Sequence, residues 1–121
     1  MLGVANTTYL GRPIFGGTTP NSAAYVQDPA TGVVSYQGDT GTVMRTVGAN
    51  AQVQVNVNAS DAFGTSPSDI FSVFDNILSD LQGNPGNLTN DLAGISNSLA
   101  TMSNAQSIEG AAYNRITNMI N

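Results

Sequence analysis

The stretch from Leu88 to Ile120, LTNDLAGISNSLATMSNAQSIEGAAYNRITNMI, decides the fold of this chain. No proline interrupts it, and its large apolar side chains recur at spacings of four and three residues, the repeat of one face of a long helix. At about 1.5 Å per residue such a helix spans roughly 50 Å, whereas a compact domain of this length has a radius of gyration of about 14 Å. The stretch therefore predicts a helix that either protrudes or packs along a second long helix.

The apolar residues of this helix form one stripe with a shift in its repeat. After Met102 the apolar register moves by one residue, which shortens the repeat as a three-residue stammer does and is expected to overwind a supercoil. Each large side chain left in water forgoes roughly 1.5–3 kcal/mol of burial, a large share of a net stability of about 5–15 kcal/mol. We therefore predict that the stripe is a helix-packing or assembly surface. This apolar stripe comprises Leu88, Leu92, Ile95, Leu99, Met102, Ile108, Ala112, Ile116 and Met119.

A second, shorter helix precedes the stripe. Residues 66–69, Ser-Pro-Ser-Asp, supply a capping hydroxyl, a proline for the first helical position and an acid for the first turn. Residues 83–86, Gly-Asn-Pro-Gly, end the helix, so we predict helices over about residues 67–82 and 88–119 in an antiparallel hairpin. The shorter helix, roughly 24 Å long, would cover about half of the longer one. The residues expected to be half covered are Leu92, Ile95, Leu99 and Met102, and those expected to cover them are Ile70, Phe74, Ile77 and Leu81.

The first half of the chain is typical of short strands and turns. Candidate strands occupy residues 23–27, 33–36, 42–47 and 52–58. In the last of them Val53, Val55 and Val57 alternate with polar residues, so one face is expected to be buried, and residues 48–50 favour an antiparallel hairpin. The predicted fold class is α+β. A small antiparallel β domain over residues 1–64 is followed by an antiparallel helical hairpin with a long C-terminal helix over residues 65–121.

Composition and charge narrow the possible functions. Eight acids against Arg12, Arg45 and Arg115 give a net charge of −5 and no basic patch for phosphates, so we do not expect nucleic acid as a partner. The chain has no cysteine and no histidine, the usual ligands of zinc, copper and haem, and we expect no metal and no cofactor. No stretch has the length and hydropathy of a membrane span or a signal peptide, so no membrane partner is expected. Solvated helix faces or helix starts are the expected positions of Asp69, Asp75, Asp80 and Asp91.

One short motif resembles a catalytic signature. Residues 39–41, Asp-Thr-Gly, match the sequence of aspartic proteases, in which two aspartates from two lobes or subunits share a proton and activate water. In those enzymes apolar strand residues precede the aspartate, whereas here Tyr-Gln-Gly precedes Asp39 and is typical of a turn. We predict a turn, no catalytic residue and no enzymatic activity. A homodimeric protease that uses Asp39 is the remote alternative.

Three groups of residues follow one another in a specific order. Residues 6–18, NTTYLGRPIFGGT, combine Gly-Arg with an aromatic residue and Gly-Gly-Thr. Residues 36–41, YQGDTG, precede VQVNV at 53–57 and AFG at 62–64, and residues 110–116 are GAAYNRI. In this order and spacing they resemble the bacterial flagellin superfamily, most closely its hook-associated protein 3 family of hook-filament junction proteins.

The resemblance implies an exported structural protein that assembles outside the bacterial cell into the flagellar axis, without a cleaved signal peptide. The implied role is an adaptor at the hook-filament junction that self-assembles through helical packing, and the flagellin filament subunit is the alternative. The implied partners are neighbouring junction subunits, hook-associated protein 1 and flagellin. Because the long N-terminal helix and the far C-terminal helix of that family are missing, the chain is expected to be a central fragment that self-associates.

Overall fold

The structure, a computed structural model, describes residues 1–20 and 23–120 of the chain. Short strands and helices precede two longer helices, which confirms the predicted α+β class with a long C-terminal helix. Asn121, the last residue of the predicted helical part, lies outside the described residues. The elements are α1 (Leu2–Ala5), β1 (Thr8–Tyr9), β2 (Arg12–Pro13), β3 (Tyr25–Gln27), β4 (Val34–Tyr36), β5 (Met44–Gly48), β6 (Ala51–Gln54), α2 (Ala59–Phe63), α3 (Ile70–Gly83), a 3-10 turn (Pro85–Asn87) and α4 (Leu88–Ile120).

Within the described part of the chain, the strands form three separate antiparallel hairpins. β1 pairs with β2 around a two-residue turn, and β3 pairs with β4 so that Tyr25 lies opposite Tyr36. β5 pairs with β6, which confirms the hairpin predicted at residues 48–50. Because each pair is only two strands wide, the hairpins depend on the helices for burial.

The last predicted strand is shorter than expected, and its alternation fails. β6 ends at Gln54, so Val53 is buried but Val55 is exposed. The side chain of Asn56 replaces the ladder: its Oδ1 accepts the Val43 N–H at 2.7 Å, and its Nδ2 donates to the Gly41 carbonyl at 2.8 Å. A side chain that bonds to the neighbouring backbone competes with regular pairing, and the strand stops there.

The core lies where the hairpins meet α2 and the start of α3. Phe63 stacks edge-on to Phe15 with ring centroids 4.8 Å apart, and Tyr25 lies 4.8 Å from Phe71. Offset and edge-to-face contacts of this kind add to the burial of aromatic rings. Ala105, in the middle of α4, belongs to the same cluster, so one core joins the β-rich part to both long helices.

Helix α3 begins later than predicted because a different residue caps it. The Asp69 carboxylate accepts the N–H groups of Phe71 at 3.0 Å and Ser72 at 3.1 Å, and Ser72 Oγ donates to it at 2.7 Å. Residues 66–69 therefore precede the helix, with Asp69 rather than Ser66 as the N-cap. The expectation that Asp69 sits at a helix start is confirmed.

The two long helices form a hairpin with closely packed ends. Asn87 Nδ2 donates to Asp80 Oδ2 at 2.6 Å near the turn, and Val73 lies against Gly94 farther from it. From the first contact to the second, residue numbers fall along α3 from 80 to 73 and rise on the other side from 87 to 94. This is the order of an antiparallel hairpin. α4 is one continuous helix of 33 residues, close to the predicted range.

Candidate assembly surface

The apolar stripe lies largely on the outside of α4. Leu92 is 62% exposed, Leu99 67% and Ile108 64%. Ile95 and Met119 are also exposed, though less, while the remaining stripe residues are half-buried: Leu88, Met102, Ala112 and Ile116. The described part of the molecule therefore leaves several of the large side chains of the stripe in solvent.

A different face of α4 turns inward. Asp91, Ser98 and Ala105 are buried, and they recur every seven residues. Gly94 lies on the same face, where an added Cβ would come within 3.3 Å of both Val73 methyl groups. Because this face carries only small and polar side chains, α3 approaches α4 closely, and we call these four residues the small-residue seam.

The seam corrects the predicted contact between the two helices. The sequence predicts that α3 half covers Leu92 and Leu99, yet both are more than half exposed, as is Leu81, and Phe74 is exposed too. Leu92, Ile95 and Leu99 each follow a seam residue by one position, which is about 100° of rotation on a helix. The sequence signal for the buried face is the repeat of small or polar residues every seven positions, and a search for large apolar residues does not detect it.

Helix α3 also presents apolar side chains to solvent. Its first turn is buried in the core through Ile70, Phe71 and Val73. Farther along, Leu78 and Leu81 are each 57% exposed. Both helices of the hairpin thus carry exposed leucines, and this is unusual for a helix pair that has no further partner.

Two polar groups of the seam are buried at the helix-helix contact. Within the described residues, Asp91 Oδ2 and Ser98 Oγ have no hydrogen-bond partner. Desolvation, with a contribution from the nearby Asp80 carboxylate, raises the pKa of Asp91. Asp91 lies in the first turn of α4, so the predicted position at a helix start is confirmed, but the residue is buried rather than solvated.

Asp39 serves as the centre of a loop. Its Oδ1 accepts the N–H of Thr18 at 2.7 Å and that of Gly41 at 2.8 Å, and its Oδ2 accepts the Thr18 hydroxyl at 2.8 Å. These bonds hold the pKa of Asp39 below its ordinary value. Tyr36 adds a hydroxyl shared between the carbonyls of Phe15 and Asp39 at 2.8 and 2.7 Å. A carboxylate with these three hydrogen bonds stabilises the loop. Its geometry gives no support to the protease alternative.

Among the residues described, no cluster of acids has the arrangement of a metal site, and none of the helices is long and apolar enough to cross a membrane. No protein-family model, curated protein or solved structure matches the chain.

Proposed function

We propose that the chain is a structural subunit of the bacterial flagellum, an adaptor at the hook-filament junction that self-assembles through helical packing. The single observation that carries the proposal is the exposed stripe on α4, in particular Leu92, Ile95 and Leu99. The resemblance of residues 6–18, 36–64 and 110–116 to the flagellin superfamily supplies the identity of the assembly. Extracellular partners follow from it: neighbouring junction subunits, hook-associated protein 1 and flagellin.

Burial energies favour a partner helix on the stripe. Covering a leucine side chain stabilises by roughly 1.5–3 kcal/mol, so several in register would supply much of a stable interface. The seam on the adjacent face already holds α3, so the exposed stripe residues Leu92, Ile95 and Leu99 are free for a second helix. A helix that packs on two faces at once is what a tube of packed subunits needs.

The third group of resembling residues is well placed for assembly. Residues 110–116 lie in α4 beyond Ala105, the last buried residue of that helix. Tyr113 is exposed there, and a Cβ added at Gly110 would meet nothing within 4 Å. Within the described residues, therefore, no other helix packs against Gly110, which leaves this position open to another helix.

Deletion of the gene that encodes this chain tests the proposal. We expect hooks without filaments and flagellin released into the medium, and complementation with the intact gene should restore filaments. Complementation by the Leu92→Gln, Leu99→Gln double variant should fail. The matched control, Asn97→Gln with Asn104→Gln, changes two exposed polar positions of the same helix at the same spacing but on another face, and should succeed. Filaments that still assemble after the deletion would contradict the proposal.

Abundance separates the junction role from the alternative of a flagellin filament subunit. A junction protein is present in few copies per flagellum and a filament subunit in thousands. Quantitative mass spectrometry of purified filaments measures this ratio. A ratio to hook protein far above one would favour the filament subunit instead.

A further inference from the structure

The turn between β1 and β2 carries an unusual residue. Leu10 has a φ of 52° and Gly11 a φ of 77°, the left-handed backbone that a two-residue hairpin turn requires. Asn-Gly is the sequence that such turns favour, because a bulky residue in the left-handed region costs roughly 1–2 kcal/mol. Leu10 therefore occupies its position against the local preference of the backbone.

Nothing within the described part of the chain compensates for that cost. Leu10 is 85% exposed and Tyr9, beside it, 71%. They line a groove of about 570 Å³ between the first and third hairpins, together with Arg12 and Arg45. No carboxylate lines this groove, and within the described residues neither guanidinium group has an ion pair or a hydrogen bond. We call these four residues the cationic tip.

A second groove has the opposite charge. It measures about 370 Å³ and lies between the end of β6 and the outer half of α4. Asp61 and Glu109 line it, with Val57 and Ile108 as apolar walls and Arg115 as its one cation. This acidic groove offers what the tip lacks, namely carboxylates beside apolar surface.

We infer that the cationic tip of one copy docks into the acidic groove of a second copy. Two of the three arginines of the chain are on the tip, whereas the chain as a whole has a net charge of −5. Leu10 would lie against Ile108, and the two guanidinium groups would meet Asp61 and Glu109. Complementary charges of this kind fix register and speed encounter between copies.

The contact is head-to-tail. Different surfaces of the two copies meet, so the arrangement continues into a ring or a helical array rather than closing as a dimer. The inference rests on the proposed function in that both require self-assembly, but it uses neither Leu92 nor Leu99. It adds a second contact, made by the β-rich part, to the one made by the helices.

Charge reversal tests the inference by sedimentation velocity of the full chain at low salt. Wild-type protein should associate with increasing concentration, and added salt should weaken that association. Arg12→Glu with Arg45→Glu, and separately Asp61→Arg with Glu109→Arg, should each reduce association by at least about tenfold. A mixture of the two reversed proteins should associate again, because each tip then faces a groove of opposite charge.

Leu10→Asn distinguishes a lost contact between copies from a misfolded protein. Asparagine suits the left-handed turn, so we expect a higher Tm together with weaker association. A variant that is more stable and associates as strongly as the wild type would overturn the role of Leu10. A wild-type protein that stays monomeric up to about 1 mM, or reversed proteins that associate unchanged, would overturn the contact as a whole.

The two proposals fail in different ways. If Leu92→Gln with Leu99→Gln abolishes filament assembly but charge reversal of the tip leaves association unchanged, the helical contact stands and the tip contact is wrong. If charge reversal behaves as expected while hooks still form filaments after the gene deletion, the tip contact stands and the flagellar role is wrong.

Discussion

At Asp69 one carboxylate binds two backbone amides and a hydroxyl, and at Asp39 another binds two amides and a hydroxyl. Both groups sit where the chain changes direction, before α3 and between the first two hairpins and the third. In a chain with only 9% charged residues, these charge-assisted hydrogen bonds hold the two turns in place. Their removal should therefore affect stability more than surface exposure alone suggests.

Replacement of Asp69 by alanine should destabilise the protein. The variant Asp69→Ala leaves the amides of Phe71 and Ser72 without their acceptor, and we expect a loss of about 1–2 kcal/mol in the free energy of unfolding. Urea denaturation followed by circular dichroism measures it. Asp69→Asn, which keeps an N-cap oxygen, is the matched control and should lose less. Equal stabilities of the two variants would argue against the cap.

Asp39 and Asp91 should respond to pH with opposite signs. Hydrogen bonds lower the folded-state pKa of Asp39, so its contribution is present above the unfolded pKa of about 3.9 and is lost as pH falls through the folded value. Desolvation raises the pKa of Asp91, so its penalty is present at neutral pH and disappears as pH falls below about 3.9. Asp39→Asn should lower Tm at pH 7, and Asp91→Asn should raise it.

Calorimetry between pH 3 and pH 7 measures both effects. The two differences from wild type should shrink toward the acid end of this range. Acid protonates Asp39 first in the unfolded chain, which removes its stabilising effect, and it protonates Asp91 first in the folded chain, which removes its penalty. A pair of variants whose Tm differences stay constant with pH would count against ionisation as the cause.

At the scale of the helices, the small-residue seam decides which face of α4 is buried. The periodicity of Leu92, Ile95 and Leu99 correctly predicts a long helix, and residues 83–86 correctly predict the break before it. Periodicity cannot distinguish an apolar face that packs within the chain from one that packs on another chain. The seam needs no large side chain, because Val73 packs directly against Gly94. A hydropathy pattern, which follows large apolar residues, therefore does not predict that this face is buried.

The strand ends are predicted less well than the helices, because they too depend on contacts that a local sequence pattern does not contain. Position within the sheet is set by partners distant in sequence, and the side chain of Asn56 ends β6 by bonding to Gly41 and Val43. No local pattern reveals that contact. The turn at Asp39 is foreseeable from its Asp-Thr-Gly sequence, whereas its partner Thr18 is not, since the two lie 21 residues apart.

Two glycines of α4 should respond in opposite directions to substitution. Gly94→Leu forces a large side chain between α4 and Val73, and we expect a loss of roughly 1–3 kcal/mol in the free energy of unfolding. Gly110→Ala, at a position with open space, should stabilise by about 1 kcal/mol through helix propensity. Chemical denaturation of the two variants beside wild type measures both. Equal effects at the two sites would mean that the helices do not meet at Gly94.

At the scale of the whole molecule, one core connects regions that the sequence separates at residue 64. Phe15 and Tyr25 from the first part pack with Phe63 and Phe71, and Ala105 of α4 reaches the same cluster. Loss of contact at any of these points exposes the others. The described part of the chain is therefore expected to unfold in one step, although its composition and secondary structure change midway.

Ala105→Asp tests that coupling. A carboxylate placed in the core without a partner should lower Tm strongly, and the hairpins and the helices should lose structure together. Near-ultraviolet circular dichroism reports the packing of the aromatic cluster, and far-ultraviolet circular dichroism reports the helices. Gln106→Asp, an exposed neighbour on the same helix, is the control and should leave Tm almost unchanged. Separate transitions in wild type would contradict a shared core.

The aromatic cluster gives the molecule a built-in optical reporter. The chain contains no tryptophan, and Tyr25 is buried at its centre, with its ring 5.1 Å from that of Tyr36. Burial raises the pKa of Tyr25, so its phenol keeps its proton while folded at pH values near 10, where an unfolded tyrosine ionises. Phenolate absorbance during an alkaline titration can thus follow the opening of the junction between hairpins and helices without any label.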